Sequence, residues 1–449
     1  TGGFLLIRSS FATTAALAAV LAFGVSGAAA APRPGTPLTK IAAHDHLKIP
    51  RGLARAITHG LGKAPRLATA PAGQAAAKQQ ELQASDGMPG DFFGYTVSLT
   101  ADGQTALVGA PNRAIGAAYV FIKHGSKWSE QQEIDSPAGA TQDTFGLAVS
   151  LSGDGQTALV GAPTGNGGNG IVYSYGRQRG KYVLDGQITA PDGAYGDEFG
   201  VSVSLSGLGN VALISAIDHN GYQGAAYVFV NHGTSWSEQR EYQDPVAPGE
   251  AYGYSVSEAA DGLTGVVGAP FANGGQGAAY VFSEFGSSQQ TLVGNPAAQP
   301  YLFGLSVSMN ALGNRVLIGS PSANLGDGAA FVFDYTPRSG WTDSQELVQS
   351  NPSGADLFGY SVALDYLGNV ALIGATERNG TAGSAFVFAG NGTLTQQREL
   401  AEPGAEPGDQ YGFSTAVDAL GDQLLIGAPY APYNGTSQGE AWAVANPIG

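Results

Sequence analysis

The chain has 449 residues, of which 68 are Gly, 12% are charged and none is Cys, and its formal net charge is −16. Such a Gly-rich, aromatic-containing composition describes an all-β protein with many tight turns and not a disordered chain. The charge is uneven: residues 1–78 carry nine Lys/Arg and one acidic residue, Asp45, whereas the remainder carries 11 basic and 35 acidic residues, a balance that repels phosphate backbones and anionic headgroups and argues against nucleic acid as a partner.

In chain order, Arg8 precedes an uncharged Ala/Leu-rich run that ends in small residues near Ala30 and Ala31. A basic flank, a short apolar stretch and a small-residue exit predict a secretory signal peptide over 1–31, with an uncleaved membrane anchor as the alternative because about 20 apolar residues span a bilayer. The sequence starts at Thr1 without Met, as a chain truncated at its start would. Export without cysteine leaves stability to packing alone. Residues 32–77 are basic, rich in Pro and Ala and broken by Gly, which reads as a linker or pro-segment with one short helix near Leu53–Gly60. Its His44 and His46 offer two metal ligands without an evident third.

From residue 78 onward one unit repeats. Phe-Gly or Tyr-Gly recurs at Phe93, Phe145, Phe199, Tyr252, Phe303, Phe358 and Tyr411, and Gly-Ala-Pro or a relic of it begins 16 residues later at Gly109, Gly161, Ser215, Gly268, Gly319, Gly374 and Gly427. A third block, "GAAYVF" in its commonest form, starts at Gly116, Gly170, Gly224, Gly277, Gly328, Gly383 and Gly439. The fixed spacing implies a tight hairpin and the looser one a tolerant loop. Bulky Phe93, Tyr95, Val97 and Leu99 alternate with Gly94, Thr96 and Ser98, the period of a strand with one thick and one thin face. An Asp-Gly turn leads to a second strand, "TALVGA", and two more follow, "GAAYVFIK" and "KWSEQQEI".

Four antiparallel strands per unit, seven times over, predict an all-β, seven-bladed β-propeller. A solenoid is the competing architecture, and the ends of the repeat discriminate. "QQEL" at Gln79–Leu82 stands ahead of the first unit as an orphan fourth strand, while the last unit stops after its third strand. An N-terminal strand that joins the last blade removes both exposed edges. Thin positions such as Ala148, Ser150, Ser202, Ser204, Ser361 and Ala363 then let neighbouring sheets approach near the axis.

The Phe-Gly and Gly-Ala-Pro pair resembles the FG-GAP repeat, the blade unit of integrin α-subunits and of exported bacterial proteins, over Gln79–Val444. That resemblance implies a seven-bladed propeller and, in integrin-type blades, a calcium cage in the hairpin between the first two strands. The hairpins here are short and carry at most two carboxylates, as in "TADGQ" and "DALGD", against the six to eight oxygens Ca²⁺ takes. Turn chemistry accounts for them, and no cofactor or metal is expected.

Two positions before Phe-Gly stands an acidic residue in six of seven units: Asp91, Asp143, Asp197, Glu250, Asp356 and Asp409. These form either a collar of carboxylates at one mouth of the channel or, the favoured reading, acceptors for backbone N–H groups in the turn. The segments between the second and third strands carry the diversity: Arg113, Asp218, His219, Tyr222, Glu377, Arg378, Tyr430 and Tyr433 suit polar recognition of sugars or polypeptide on a rigid frame. Trp128, Trp236 and Trp341 start fourth strands and are expected on the outside of the ring. No nucleophile elbow, cysteine nucleophile or phosphate loop is present. The expected function is a secreted, periplasmic or cell-surface binding or adhesion protein, monomeric and not inserted in a membrane. Its ligand is a surface polysaccharide or protein, bound with avidity by near-equivalent blades. Two readings compete: a lyase or hydrolase that uses channel-mouth carboxylates such as Asp197 and Asp356, and an envelope scaffold.

Overall fold

The computed structural model describes residues 77–139, 143–233, 235–243, 249–283, 286, 288–295, 301–432, 438–445 and 447–448. The signal-peptide and linker expectations, His44, His46 and Tyr433 lie outside the described residues. Seven four-stranded antiparallel sheets form seven blades. In the first, the strands Thr96–Leu99, Thr105–Ala110, Ala117–His124 and Lys127–Asp135 lie side by side in chain order. The last blade takes its fourth strand from the start of the repeat region: Lys78–Leu82 pairs antiparallel with Glu440–Ala445, Gln80 opposite Ala443.

The motif residues make the joints between blades. The Gly of Gly-Ala-Pro in one blade faces the Gly of Phe-Gly in the next, backbone to backbone. A Cβ on Gly109 would lie 2.0 Å from the Gly146 carbonyl oxygen, and one on Gly319 would lie 2.0 Å from that of Gly359. The third-block glycine meets the same neighbour, so a Cβ on Gly277 would stand 2.1 Å from the Phe303 oxygen. Phe93, Phe145, Phe199, Tyr252, Phe303, Phe358 and Tyr411 are fully buried, each in one of the apolar clusters between adjacent sheets.

The thin face carries hydrogen bonds as well as space. Ser98, Ser150, Ser204, Ser257 and Ser308 each accept, through Oγ, the backbone N–H of the next blade's innermost strand, at Leu151, Leu205, Glu258, Met309 and Leu364, over 2.9 to 3.1 Å. Ala363 and Ala416 stand at that position in the last two blades. There Ser361 and Ser414 donate to the carbonyls of Gly412 and Gly94 at 2.7 and 2.8 Å, a bond that Ser255 and Ser306 also make in the fourth and fifth blades at 3.0 Å. Ser414 thereby ties the seventh blade to the first.

At the hairpin end of the channel, backbone N–H groups of Ala101, Asp154, Gly207, Ala260, Ala311, Tyr366 and Ala419 donate in sequence to the carbonyls of Gly153, Gly207, Ala260, Ala311, Tyr366, Ala419 and Ala101, at 2.9 to 3.3 Å. This circuit of hydrogen bonds links the seven blades in a ring at that end.

Strand-four glutamines lock the rim: Gln80 bridges the N–H and C=O of Trp128, and Gln290 does the same for Trp341. Two of the three tryptophans correct the expectation of an outer surface, while Trp236 is half-buried against its cluster. Trp128 and Trp341 are buried between neighbouring sheets because the indole fills the gap that widens with distance from the axis.

Candidate functional site: the channel mouth

The residue before each Phe/Tyr-Gly is left-handed in every blade: Phe92, Thr144, Glu198, Ala251, Leu302, Leu357 and Gln410 have φ between 50° and 59°. A non-glycine residue costs about 1 kcal/mol or more there, so the fold holds a strained kink at seven equivalent points. The kink turns the chain from the incoming loop onto the innermost strand. The second residue after the aromatic is then Tyr95, Leu147, Val201, Tyr254, Leu305, Tyr360 or Phe413, on the axial side. Beside each kink lies the residue after Gly-Ala-Pro: Asn112, Thr164, Asp218, Phe271, Ser322, Glu377 or Tyr430. Its backbone is pinned to the blade, Asp218 N–H donating to Asp197 C=O and Glu377 N–H to Asp356 C=O at 3.3 and 3.2 Å.

These three columns differ from blade to blade and meet at one mouth of the channel. One sector is aromatic. Phe413 packs at a tilt between Tyr95 and Tyr360 with ring centroids 4.9 and 5.1 Å away, and Tyr430 packs on Phe413 and Phe92 at 6.0 and 5.1 Å. Tyr254, from the fourth blade, packs on Phe271 at 6.4 Å. Burial first, and then the other phenols, push the Tyr95 and Tyr360 hydroxyls above the usual tyrosine range; Tyr254 acts on both from across the ring. Another sector is acidic: burial, with Glu198 and Asp197 adding to it, pushes the Asp218 carboxyl up to about 7. Polar pairs fill the rest, Gln410 Nε2 donating to Glu377 at 3.2 Å and the Thr144 and Thr164 hydroxyls meeting at 3.0 Å.

The structure places the residues expected to bind in three groups. Asp218, Glu377 and Tyr430 stand at the mouth. Tyr222 is exposed on the outer part of the same face. Arg113, His219 and Arg378 lie beneath the loops: Arg113 in ion pairs with Asp86, Asp91 and Glu133, Arg378 in ion pairs with Asp356 and Glu399, and His219 with Nδ1 hydrogen-bonded to Asp197 at 2.8 Å.

The segments between second and third strands also differ from the expected tolerant loops. In blades two to six the third-block glycine returns its N–H to the residue five before it, as Gly224 to His219 and Gly383 to Arg378, at 2.9 to 3.0 Å. Left-handed Asn166, Asn220, Asn273, Asn324 and Asn379 recur inside these turns. One backbone thus carries different side chains.

The acidic series before Phe-Gly is turn chemistry. The carboxylates of Asp91, Asp197 and Asp356 accept the backbone N–H of Met88, Ala194 and Ser353 at 2.7 to 2.8 Å. Burial opposes the Asp356 charge, but Ser353, Arg378 and Gln349 outweigh it and hold the carboxyl below its usual range. Asp197 and Asp356 are therefore buried supports, not members of an open collar. Hairpin aspartates behave alike: Asp102 and Asp154 accept the N–H of Gln104 and Gln156 at 3.0 Å.

The signal for the mouth was available in the repeat alignment. The positions flanking the repeated Phe-Gly and Gly-Ala-Pro are its most varied ones, but their convergence depends on a kink no spacing reveals.

Comparison with known proteins agrees with this geometry. An FG-GAP repeat model matches residues 77–121, 128–175, 182–229 and 341–388. Integrin alpha-PS3 of Drosophila melanogaster is 40% identical over 101 residues, 19% of this chain and 9% of that protein's length. The crystal structure of RRP9 WD40 repeats superposes with a TM-score of 0.56 at 11% identity, covering 83% of this chain and 98% of that one, which shows the propeller fold alone. FG-GAP repeats thus match four stretches of a chain that folds as seven four-stranded blades, and part of it is similar to an integrin α-subunit.

Proposed function

We propose that this protein is an exported, surface-acting and non-enzymatic binding protein that takes a polysaccharide or a segment of a surface protein end-on at the aromatic channel mouth. The observation that carries this reading is the gathering of blade-to-blade diversity at one place in an otherwise repeated frame. The partly exposed rings of Tyr95, Tyr360 and Tyr430, packed around the buried Phe413, offer stacking area at low conformational-entropy cost. The site is single, since the seven mouths are one mouth, and it predicts one ligand per chain in place of avidity across blades. Glycan and surface-protein arrays with the full chain test it. Tyr95→Ala and Tyr430→Ala are expected to weaken binding by about tenfold or more each, while Tyr222→Ala leaves it unchanged; unaltered binding in both mouth variants would remove the site.

The pair Glu198 and Asp218 favours a second reading. A carboxyl raised to about 7 beside a second carboxyl is the arrangement of a general acid with its partner in a carbohydrate-active enzyme. Polysaccharide cleavage abolished by Asp218→Asn would establish it, and the absence of turnover across a broad substrate panel would set it aside.

A further inference from the structure

Three blades carry an Arg or His at the same position, four residues after the start of Gly-Ala-Pro: Arg113, His219 and Arg378. In the first blade the Arg113 guanidinium fills a pocket of three carboxylates. It reaches Asp86, seven residues before the Phe, Asp91, two before it, and Glu133 on the outermost strand, Nε lying 3.0 Å from Glu133 Oε1. The third blade repeats the pocket residue for residue as Asp192, Asp197 and Glu241. Tyr119 donates to Asp86 at 3.0 Å, and Tyr227 to Asp192 at 3.1 Å, so the framework is the same. Only the residue in the pocket differs, Arg113 against His219.

An imidazole is shorter than a guanidinium fork. His219 Nδ1 engages Asp197 at 2.8 Å, the inner member of the pocket, and the ring stops there. Its Nε2 is aimed between the outer two carboxylates, 3.6 Å from Asp192 Oδ2 and 3.6 Å from Glu241 Oε1. These separations exceed hydrogen-bond length, and among the described residues Nε2 has no other polar partner. The His219 side chain is 5% exposed, so the pocket holds the ring in this orientation. Opposite it, Asp192 is about half exposed, which leaves an entry path from solvent.

We infer that His219, Asp192 and Glu241 form a binding site for a divalent transition-metal ion of the Zn²⁺ class, in the place that the Arg113 guanidinium occupies in the first blade. The three ligand atoms lie within 4.8 Å of one another. Zinc binds imidazole nitrogen and carboxylate oxygen at about 2.0–2.2 Å, so two ligands at a tetrahedral angle stand about 3.4 Å apart, close to the separations here. Asp197 on Nδ1 supplies the outer partner that orients a metal-bound histidine and selects the Nε2 lone pair for the ion. One nitrogen with two carboxylates leaves the fourth position for water. This site lies on the face of the channel mouth but stands independently of what the mouth binds.

Zn²⁺ titration of chelator-stripped full-length protein, by calorimetry and by competition with a chromogenic chelator, tests the inference. The histidines elsewhere in the chain set a background that the variants share. His219→Arg restores the first blade's own residue and is expected to fold, to keep the wild-type melting temperature without zinc, and to take up one equivalent fewer than wild type. Asp192→Asn, at an exposed position, is expected to weaken that equivalent by at least tenfold. Arg113→His, which copies the third-blade arrangement into the first, is expected to add one equivalent. Equal zinc stoichiometry in wild type and His219→Arg would overturn the site, as would uptake in which a folded Arg113→His protein gains nothing.

Discussion

Gly427 and Gly94 belong to the last and first blades and touch through their backbones: a Cβ on Gly427 would lie 1.9 Å from the Gly94 carbonyl oxygen. The contact explains why a Gly-Ala-Pro and a Phe-Gly, 16 residues apart in each unit, recur together. One glycine fits the next blade's other glycine, so the motif is a joint whose two halves sit on different blades.

Gly427→Ala therefore forces two blades apart at their closest approach. Overpacking a tight contact costs about 1–3 kcal/mol and sometimes more, and the upper end is expected because the obstacle is backbone. Gly125→Ala is the comparison: its φ is 65° but nothing lies within 4 Å of the new Cβ, so the loss is about 1 kcal/mol. Urea unfolding of the two variants measures the difference.

Glu258 sits on the innermost strand of the fourth blade where Leu99, Leu151, Leu205 and Leu364 stand in others. Its two carboxyl oxygens are buried without a hydrogen-bond partner among the described residues. Burial, with Asp261 adding to it, raises its pKa well above the ordinary value. Glu258→Leu is expected to stabilise the protein by about 2 kcal/mol. The folded state keeps a proton that the unfolded chain releases above about pH 4.5, so the advantage of Leu grows with pH. Denaturation midpoints at pH 5 and pH 8 check both statements.

A second set of protons lies at the seam. Burial pushes the Glu440 carboxyl up to about 9, with Glu81 and Glu402 adding to it, and burial with Asp409 pushes Glu402 up to about 7. Both folded values exceed the unfolded one, so the folded chain binds more protons between them. Stability is full below about pH 4.5 with respect to these groups and falls as pH rises through about 7 and about 9. Glu440→Gln, which imitates the protonated form, is expected to flatten the decline and raise the melting temperature at pH 9. A parallel decline in wild type and variant would contradict the assignment.

The blades were legible because their spacing is rigid: 16 residues from Phe93 to Gly109 and again from Tyr411 to Gly427 leaves room for one hairpin only. Alternation of Phe93, Tyr95, Val97 and Leu99 likewise announced a strand with two unlike faces. The channel mouth was not legible. Whether Tyr254 reaches Tyr95 depends on the left-handed Ala251 and Phe92 kinks and on blades that are distant in sequence. Trp128 and Trp341 misled for a related reason, since an aromatic on an outermost strand reads as surface until the next blade is placed against it. The His219 pocket was half visible: His219 was singled out, but Asp192 and Glu241 join it from opposite ends of the same unit.

Ring closure is the claim on which the mouth, the seam and the joints all depend, and the absence of cysteine makes it directly measurable. Lys78 and Ala445 are direct cross-strand partners, a relationship that puts α-carbons about 4.5–5.5 Å apart, within reach of a disulfide. Lys78→Cys/Ala445→Cys, oxidised in the folded state, is expected to form one intramolecular disulfide that speeds migration on non-reducing gels and is reversed by reductant. Two free thiols in the folded, oxidised protein, or crosslinks only between chains, would contradict the closed ring.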